Sequence, residues 1–112
     1  MVKVIITSKL EERINKVFKK ESVEIFSLML SLEDNPKKGK EISSIGGVLI
    51  KELKYKKFRF YFIIDGYKVK YLSSEELKNI IIKFVRMSEK NDQQKVIDEI
   101  KYILRSLGEE GF

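Results

Sequence analysis

The sequence predicts an α+β fold: a small, twisted antiparallel sheet with a helical hairpin before it and one helix after it. Three observations carry this. Apolar residues recur at helical spacing near both ends, at Leu10, Ile14, Val17 and Phe18 and again from Val96 to Leu107. In the middle the pattern changes to period two, as in Phe58-Arg59-Phe60-Tyr61-Phe62. The breakers Asn35-Pro36, Gly46-Gly47 and Asp65-Gly66 fall between these blocks. With 112 residues, 43% hydrophobic and 36% charged, the chain has material for one core and too little for two ordinary domains. Residues 1–108 are taken as that single domain and 109–112 as a loose C-terminal tail.

Val2–Thr7 is short and β-branched and reads as a strand, an edge through which subunits could pair. Ser8 then caps a helix, with Glu11 closing a capping box. A break near Glu21-Ser22 separates a second helix, roughly Val23–Glu33, with Val23, Phe26, Met29 and Leu30 inward. Asn35-Pro36 ends it, because proline drives its predecessor away from helical angles. Lys37–Ile45 reads as a polar loop and Gly46-Gly47 as the turn into a strand over Val48–Leu53. Lys54–Lys57 is a tight basic connection to a strand over Phe58–Ile64.

Asp65-Gly66 has the composition of a two-residue hairpin turn, which returns Tyr67–Leu72 as a strand. That register pairs Ile64 with Tyr67, Phe62 with Val69 and Phe60 with Tyr71 on one face. It sets Arg59, Tyr61, Lys68 and Lys70 on the other. Ser73–Lys78 is a loop. Asn79–Met87 is apolar on both sides and suits a central strand. A last helix, capped by Asn91 or Asp92, presents Val96, Ile97, Ile100, Ile103, Leu104 and Leu107 until Gly108 stops it.

Charge is the strongest functional signal. Lys37–Tyr71 holds ten basic residues (Lys37, Lys38, Lys40, Lys51, Lys54, Lys56, Lys57, Arg59, Lys68, Lys70) against three acids, a local charge of +7, while the remainder sums to −1. A basic patch on a small sheet is the usual footprint of a protein that holds a polyanion, most often nucleic acid. A solvated charged face, or a surface for an acidic partner protein, are the other readings of the cluster. There is no cysteine and no histidine. Disulfides and thiolate metal sites are therefore excluded, and so are the commonest general base and transition-metal ligand. No metal or cofactor is implied. Gly46-Gly47 lacks the context of a phosphate-cradling loop. No apolar run approaches the ~18 residues of a membrane span, and MVKVIITSK lacks the features of a signal peptide. No membrane association and a cytoplasmic location are the expectations.

Asn35-Pro36-Lys37-Lys38-Gly39-Lys40 resembles the NPxxGK loop that closes the helical hairpin in RelE/ParE-type toxins. Leu49-x-Lys51-x-Leu53-Lys54 and Phe58-Arg59-Phe60 are similar to that family's Lys-Leu-Arg strand and its hairpin arginine. Ile80–Lys90 (IIIKFVRMSEK) resembles the strand end of the phage-derived, HigB-like branch. The likeness spans about Val23 to Leu107. It implies a RelE-like domain acting as the toxin of a toxin–antitoxin pair: a metal-independent, ribosome-associated endoribonuclease that cleaves mRNA and is neutralised by a cognate antitoxin. By position, Lys51 and Lys54 match the strand lysines, Arg59 the hairpin arginine, and Arg86 and Lys90 the basic residues at the end of the last strand. The sequence departs from the branch at Met87 and at Asn91-Asp92-Gln93. The family's late tyrosine or histidine has no clear counterpart. A catalytically silent module of the same fold, binding nucleic acid or a protein, is thus the alternative; gyrase inhibition is a third.

RNA cleavage by internal transfer needs a group for the 2′-proton, cations for the phosphorane, and a donor for the leaving 5′-oxygen. The candidate catalytic residues are Lys54 as acid or base, Arg59 as the bidentate cation, Arg86, and Tyr61 as stacking partner or proton donor. Lys37, Lys38, Lys51, Lys56, Lys57, Lys68, Lys70 and Lys90 are the candidate phosphate ligands. Glu52 and Glu89 are the nearby carboxylates that could act as bases. Arg59 could equally form a cross-strand ion pair with Glu52, and Tyr61 could be an ordinary sheet tyrosine. All these cations are expected on one open surface, opposite the helices.

Overall fold

The computed structural model describes residues 2–73, 75–77 and 79–112. The loop expected over Ser73–Lys78 includes Ser74 and Lys78, which lie outside the described residues. The strands are β1 (Lys3–Ile6), β2 (Lys40–Ile45), β3 (Val48–Tyr55), β4 (Phe58–Asp65) and β5 (Ile81–Glu89), in the spatial order β1-β5-β4-β3-β2. The fold is α+β, as expected, but the sheet is mixed. β1 lies parallel to β5, with Lys3 beside Ile81 and Ile6 beside Phe84, while the other pairs are antiparallel. A parallel pair needs a long crossover, and here the rest of the sheet and three helices separate its members.

Helices α1 (Ser8–Phe18) and α2 (Ser22–Leu30), joined by a 3-10 turn over Lys19–Glu21, bury Leu10, Ile14, Ile25 and Met29 against one face of the sheet. That face supplies Leu49, Leu53, Phe60, Phe62, Ile64, Ile82, Phe84 and Met87. Helix α4 (Gln93–Leu107) buries Ile97, Ile100 and Leu104 against the other, made by Ile50, Tyr61, Ile63 and Val85. Alternate residues of β4 therefore enter two cores, which explains why FRFYFII is apolar on both sides. Each such side chain contributes roughly 1.5–3 kcal/mol on burial. β5 keeps pace through a bulge. Tyr61 pairs with Arg86 but Phe62 pairs with Phe84, so Val85 is the extra residue. The shift lets Phe84 and Met87 both reach the α1–α2 core although their separation is odd.

Several expectations are corrected. Lys37–Ile45 is not all loop: from Lys40 it forms β2, whose hairpin with β3 turns on Gly46 and Gly47, both at positive φ (+53° and +84°). Ile42 and Ile45 lean on the α4 core, which repays making a strand of a polar segment. The expected hairpin at Asp65-Gly66 is instead the start of a helix, α3 (Gly66–Tyr71). Asp65 Oδ1 accepts from the Lys68 amide at 3.0 Å, and the Gly66 amide donates to Gly47 O at 2.9 Å. The acid that suits a turn also suits a helix N-cap, and capping prevails because Val69 then enters the α1–α2 core. The pairs Ile64–Tyr67, Phe62–Val69 and Phe60–Tyr71 do not form.

The N-cap of α1 is Thr7, one residue before the expected Ser8, with no side-chain capping bond. Of the 109–112 segment, expected to be loose, Glu109–Gly111 lie in a 3-10 turn over Gly108–Gly111, and Phe112 after it meets Lys83 and Arg86 of β5. Lys83 Nζ donates to Glu109 O at 3.3 Å and Phe112 O at 3.5 Å. Among the described residues no helix is long and apolar enough to cross a membrane.

Candidate phosphate-binding groove

β2 begins at Lys40, paired with Glu52, so β3 beyond Glu52 has no strand on its outer edge. The chain ahead of β2 bends there and leaves a groove of about 450 Å³. Its walls are Lys38, Gly39 and Lys40 from the bend, Glu52, Leu53 and Lys54 from β3, Arg59 from β4 and Leu28 from α2. Two features hold the bend in place. Gly39 adopts φ +108°, and a Cβ there would lie 2.8 Å from the Phe62 ring and 3.2 Å from Glu52 O. Lys51, buried beneath it, donates from Nζ to Lys37 O at 2.9 Å and sits 5.9 Å over the Phe62 ring. Burial lowers the Lys51 pKa, partly opposed by the charge of Glu41.

Lys54 and Arg59 are direct cross-strand partners, so their side chains leave the sheet on the same face. Arg59 Nε lies 3.8 Å from Glu52 Oε2, and Nη1 donates to Phe58 O at 3.3 Å. The same Glu52 oxygen accepts from Gln93 Nε2 at 3.1 Å, so the first turn of α4 is tied to the groove's carboxylate. Behind it, Tyr61 OH and Ser88 Oγ share a hydrogen bond of 2.8 Å. Burial pushes the Tyr61 phenol up, the Ser88 bond opposing it. Lys38, Lys40 and Lys54 are exposed and form no ion pair among the described residues. The groove thus carries four cations against one carboxylate, itself tied to Arg59. Such a space suits the oxygens of a phosphodiester.

Of the expected site residues, the fold brings Lys38, Lys54 and Arg59 together. Others are elsewhere. Tyr61, expected on an open surface, is fully buried, because that face of β4 is the α4 core. Lys51 is 5% exposed and serves the bend rather than a ligand. Arg86 is held by Glu99 of α4 at 2.7 Å, with Nη1 donating to Val85 O, and lines a different cleft with Lys83 and Phe112. Arg59, Tyr61 and Arg86 therefore lie on the face that α4 covers, not on one opposite the helices.

Lys56 pairs with Glu21 at 3.0 Å, Lys57 with Glu89 at 3.1 Å and Lys70 with Glu41 at 3.8 Å. Exposed pairs of this kind add little stability but spend the charge locally. Lys37 lines a smaller cleft on the other side of Gly39, with Lys51 and Lys70. Lys68 lies on α3, and Lys90 is exposed at the 3-10 turn before α4. Lys40 and Gln93 were missing from the expected site. The NPxxGK likeness ends on Lys40 and pointed to it. Nothing in the sequence marks Gln93 as the helical residue that reaches Glu52. No family model, curated protein or solved structure is a significant match for this chain.

Proposed function

We propose that this chain binds RNA through the groove at the open edge of β3 and cleaves it there as a toxin endoribonuclease of the RelE/ParE type, under the control of a cognate antitoxin. The observation that supports this reading is the meeting of three lysines, unpaired among the described residues, with Arg59 and Glu52 around one space. In the proposed reaction Glu52 takes the 2′-hydroxyl proton and the 2′-oxygen attacks the adjacent phosphorus. Arg59, with Lys38 and Lys40, stabilises the charge on the phosphorane oxygens. Lys54 gives a proton to the departing 5′-oxygen, and the proton held by Glu52 then passes through solvent to Lys54, which restores both groups. The products are a 2′,3′-cyclic phosphate and a 5′-hydroxyl end, and no metal enters the scheme. Incoming phosphate competes with Glu52 for Arg59 and so frees the carboxylate.

The second reading, RNA binding without cleavage, is favoured by the Glu52–Arg59–Gln93 cluster, in which the groove's carboxylate is already engaged. Incubation of the purified protein with single-stranded RNA, both free and as mRNA on translating ribosomes, separates the two. Cleavage that is abolished by Glu52→Gln, and by a 2′-deoxy residue at the cut, supports the nuclease. Tight binding with intact RNA leaves the binding module. An absence of binding removes both.

A further inference from the structure

Helix α3 carries two tyrosines that the fold does not use. Val69 alone of its side chains enters the core, while Tyr67 and Tyr71 are 68% and 72% exposed. They stand four residues apart on one side of the helix, their rings 5.0 Å between centroids and tilted by 45°. Two large rings held side by side in water suggest a missing partner. Their surroundings indicate its chemistry. Lys68 and Lys70 alternate with them along α3, and Lys70 lines the cleft that also contains Lys37 and Gly39. Gly39 lines the phosphate groove as well, so the two depressions flank the same bend.

The nearby acids are occupied. Asp65 caps α3, Glu41 faces Lys70, and Glu76 accepts from the Ser73 amide at 3.0 Å; Glu75 is the remaining carboxylate. A ligand that carries flat apolar rings on a regularly anionic backbone fits this surface. An acidic protein would match the lysines but would have no particular need of two neighbouring exposed aromatics.

We infer that Tyr67 and Tyr71 form a stacking platform for unpaired bases of single-stranded RNA, whose backbone crosses the Lys37–Lys40 bend into the groove. The inference rests on the RNA-binding reading and adds to it: the substrate is single-stranded on this side of the groove. Bases in a duplex are stacked on each other and cannot lie on a tyrosine, whereas splayed bases can.

The test compares the Tyr67→Ala/Tyr71→Ala and Tyr67→Phe/Tyr71→Phe proteins with wild type, using a short single-stranded oligouridylate and a duplex RNA as probes. Because both side chains are exposed, each double variant should keep the fold, which circular dichroism checks. Loss of one stacked base costs roughly five- to a hundredfold in affinity. The alanine protein should therefore lose at least about tenfold for the single strand and little for the duplex, and the phenylalanine protein should bind like wild type. An alanine protein that binds the single strand normally overturns the platform, as does one that loses duplex and single strand alike. A Lys38→Ala/Lys40→Ala/Lys54→Ala protein separates the two levels. If it is weak while the alanine protein is not, the groove stands and the platform falls; if it too binds normally, the groove reading fails as well.

Discussion

Replacing Arg59 with alanine separates the two roles this residue can have. Its side chain and that of Glu52 are only 12% and 7% exposed and lie 3.8 Å apart. Removing one member of a buried ion pair typically costs about 3–5 kcal/mol, mostly by stranding the other charge. Here the cost should be smaller. The separation is at the outer limit of an ion pair, the groove admits water, and Gln93 still donates to Glu52 at 3.1 Å. A loss of about 2–3 kcal/mol follows, which leaves a domain of ordinary stability folded. In urea, with a slope of about 1–3 kcal/mol per molar, the midpoint should drop by roughly 0.7–3 M at unchanged slope. Adding Glu52→Gln to the Arg59→Ala protein should restore at least about 1 kcal/mol, because no carboxylate is then left unpaired. An Arg59→Ala protein within about 0.5 kcal/mol of wild type, or strictly additive effects of the two changes, would refute the coupling and leave Arg59 as a plain surface cation.

Other outcomes follow from single residues. Thr7 Oγ1 is buried without a hydrogen-bond partner among the described residues, so Thr7→Val should be neutral or raise stability by up to about 1 kcal/mol, as read by thermal unfolding. Lys51→Met should loosen the bend and lower RNA affinity without changing the slope of its salt dependence in filter binding, whereas Lys54→Met should lower both; an equal fall in slope for both would return Lys51 to the ligand set. The pH dependence of Lys51 has a defined sign. Its folded pKa is lowered by burial from the ordinary 10.5, so the unfolded chain binds more protons between the two values. Wild-type stability should rise with pH across that window, and the Lys51→Met protein should lack that increment in urea titrations.

Much of the architecture was legible because the burial pattern is written in the spacing. The two-sided apolarity of Phe58–Ile64 and of the last strand follows from helices on both faces, and Gly108 stops α4 at φ +69°. What the sequence could not arbitrate was competition between local motifs. Asp65-Gly66 suits a hairpin turn and a helix cap equally well, and only Val69 finding the core decides between them. Charge was legible as a cluster but not as a surface. Lys56, Lys57 and Lys70 meet Glu21, Glu89 and Glu41 from other parts of the chain, or from across a strand gap, and no one-dimensional count reveals such pairs. The burial of Tyr61 is invisible in the sequence for a related reason. Alternation gives which residues share a face, while the placement of α4 decides whether that face meets water.

The salt dependence of RNA binding tests the groove most directly. Each phosphate contact on a single strand contributes about 0.7 to the slope of log K against log salt concentration. Substitution of Lys38, Lys40 and Lys54 by alanine should reduce that slope by about 2, while substitution of the ion-paired Lys56, Lys57 and Lys70 should leave it nearly unchanged. A groove variant that keeps the wild-type slope, or a paired-lysine variant that loses as much, would contradict the assignment of phosphate binding to the open edge of β3.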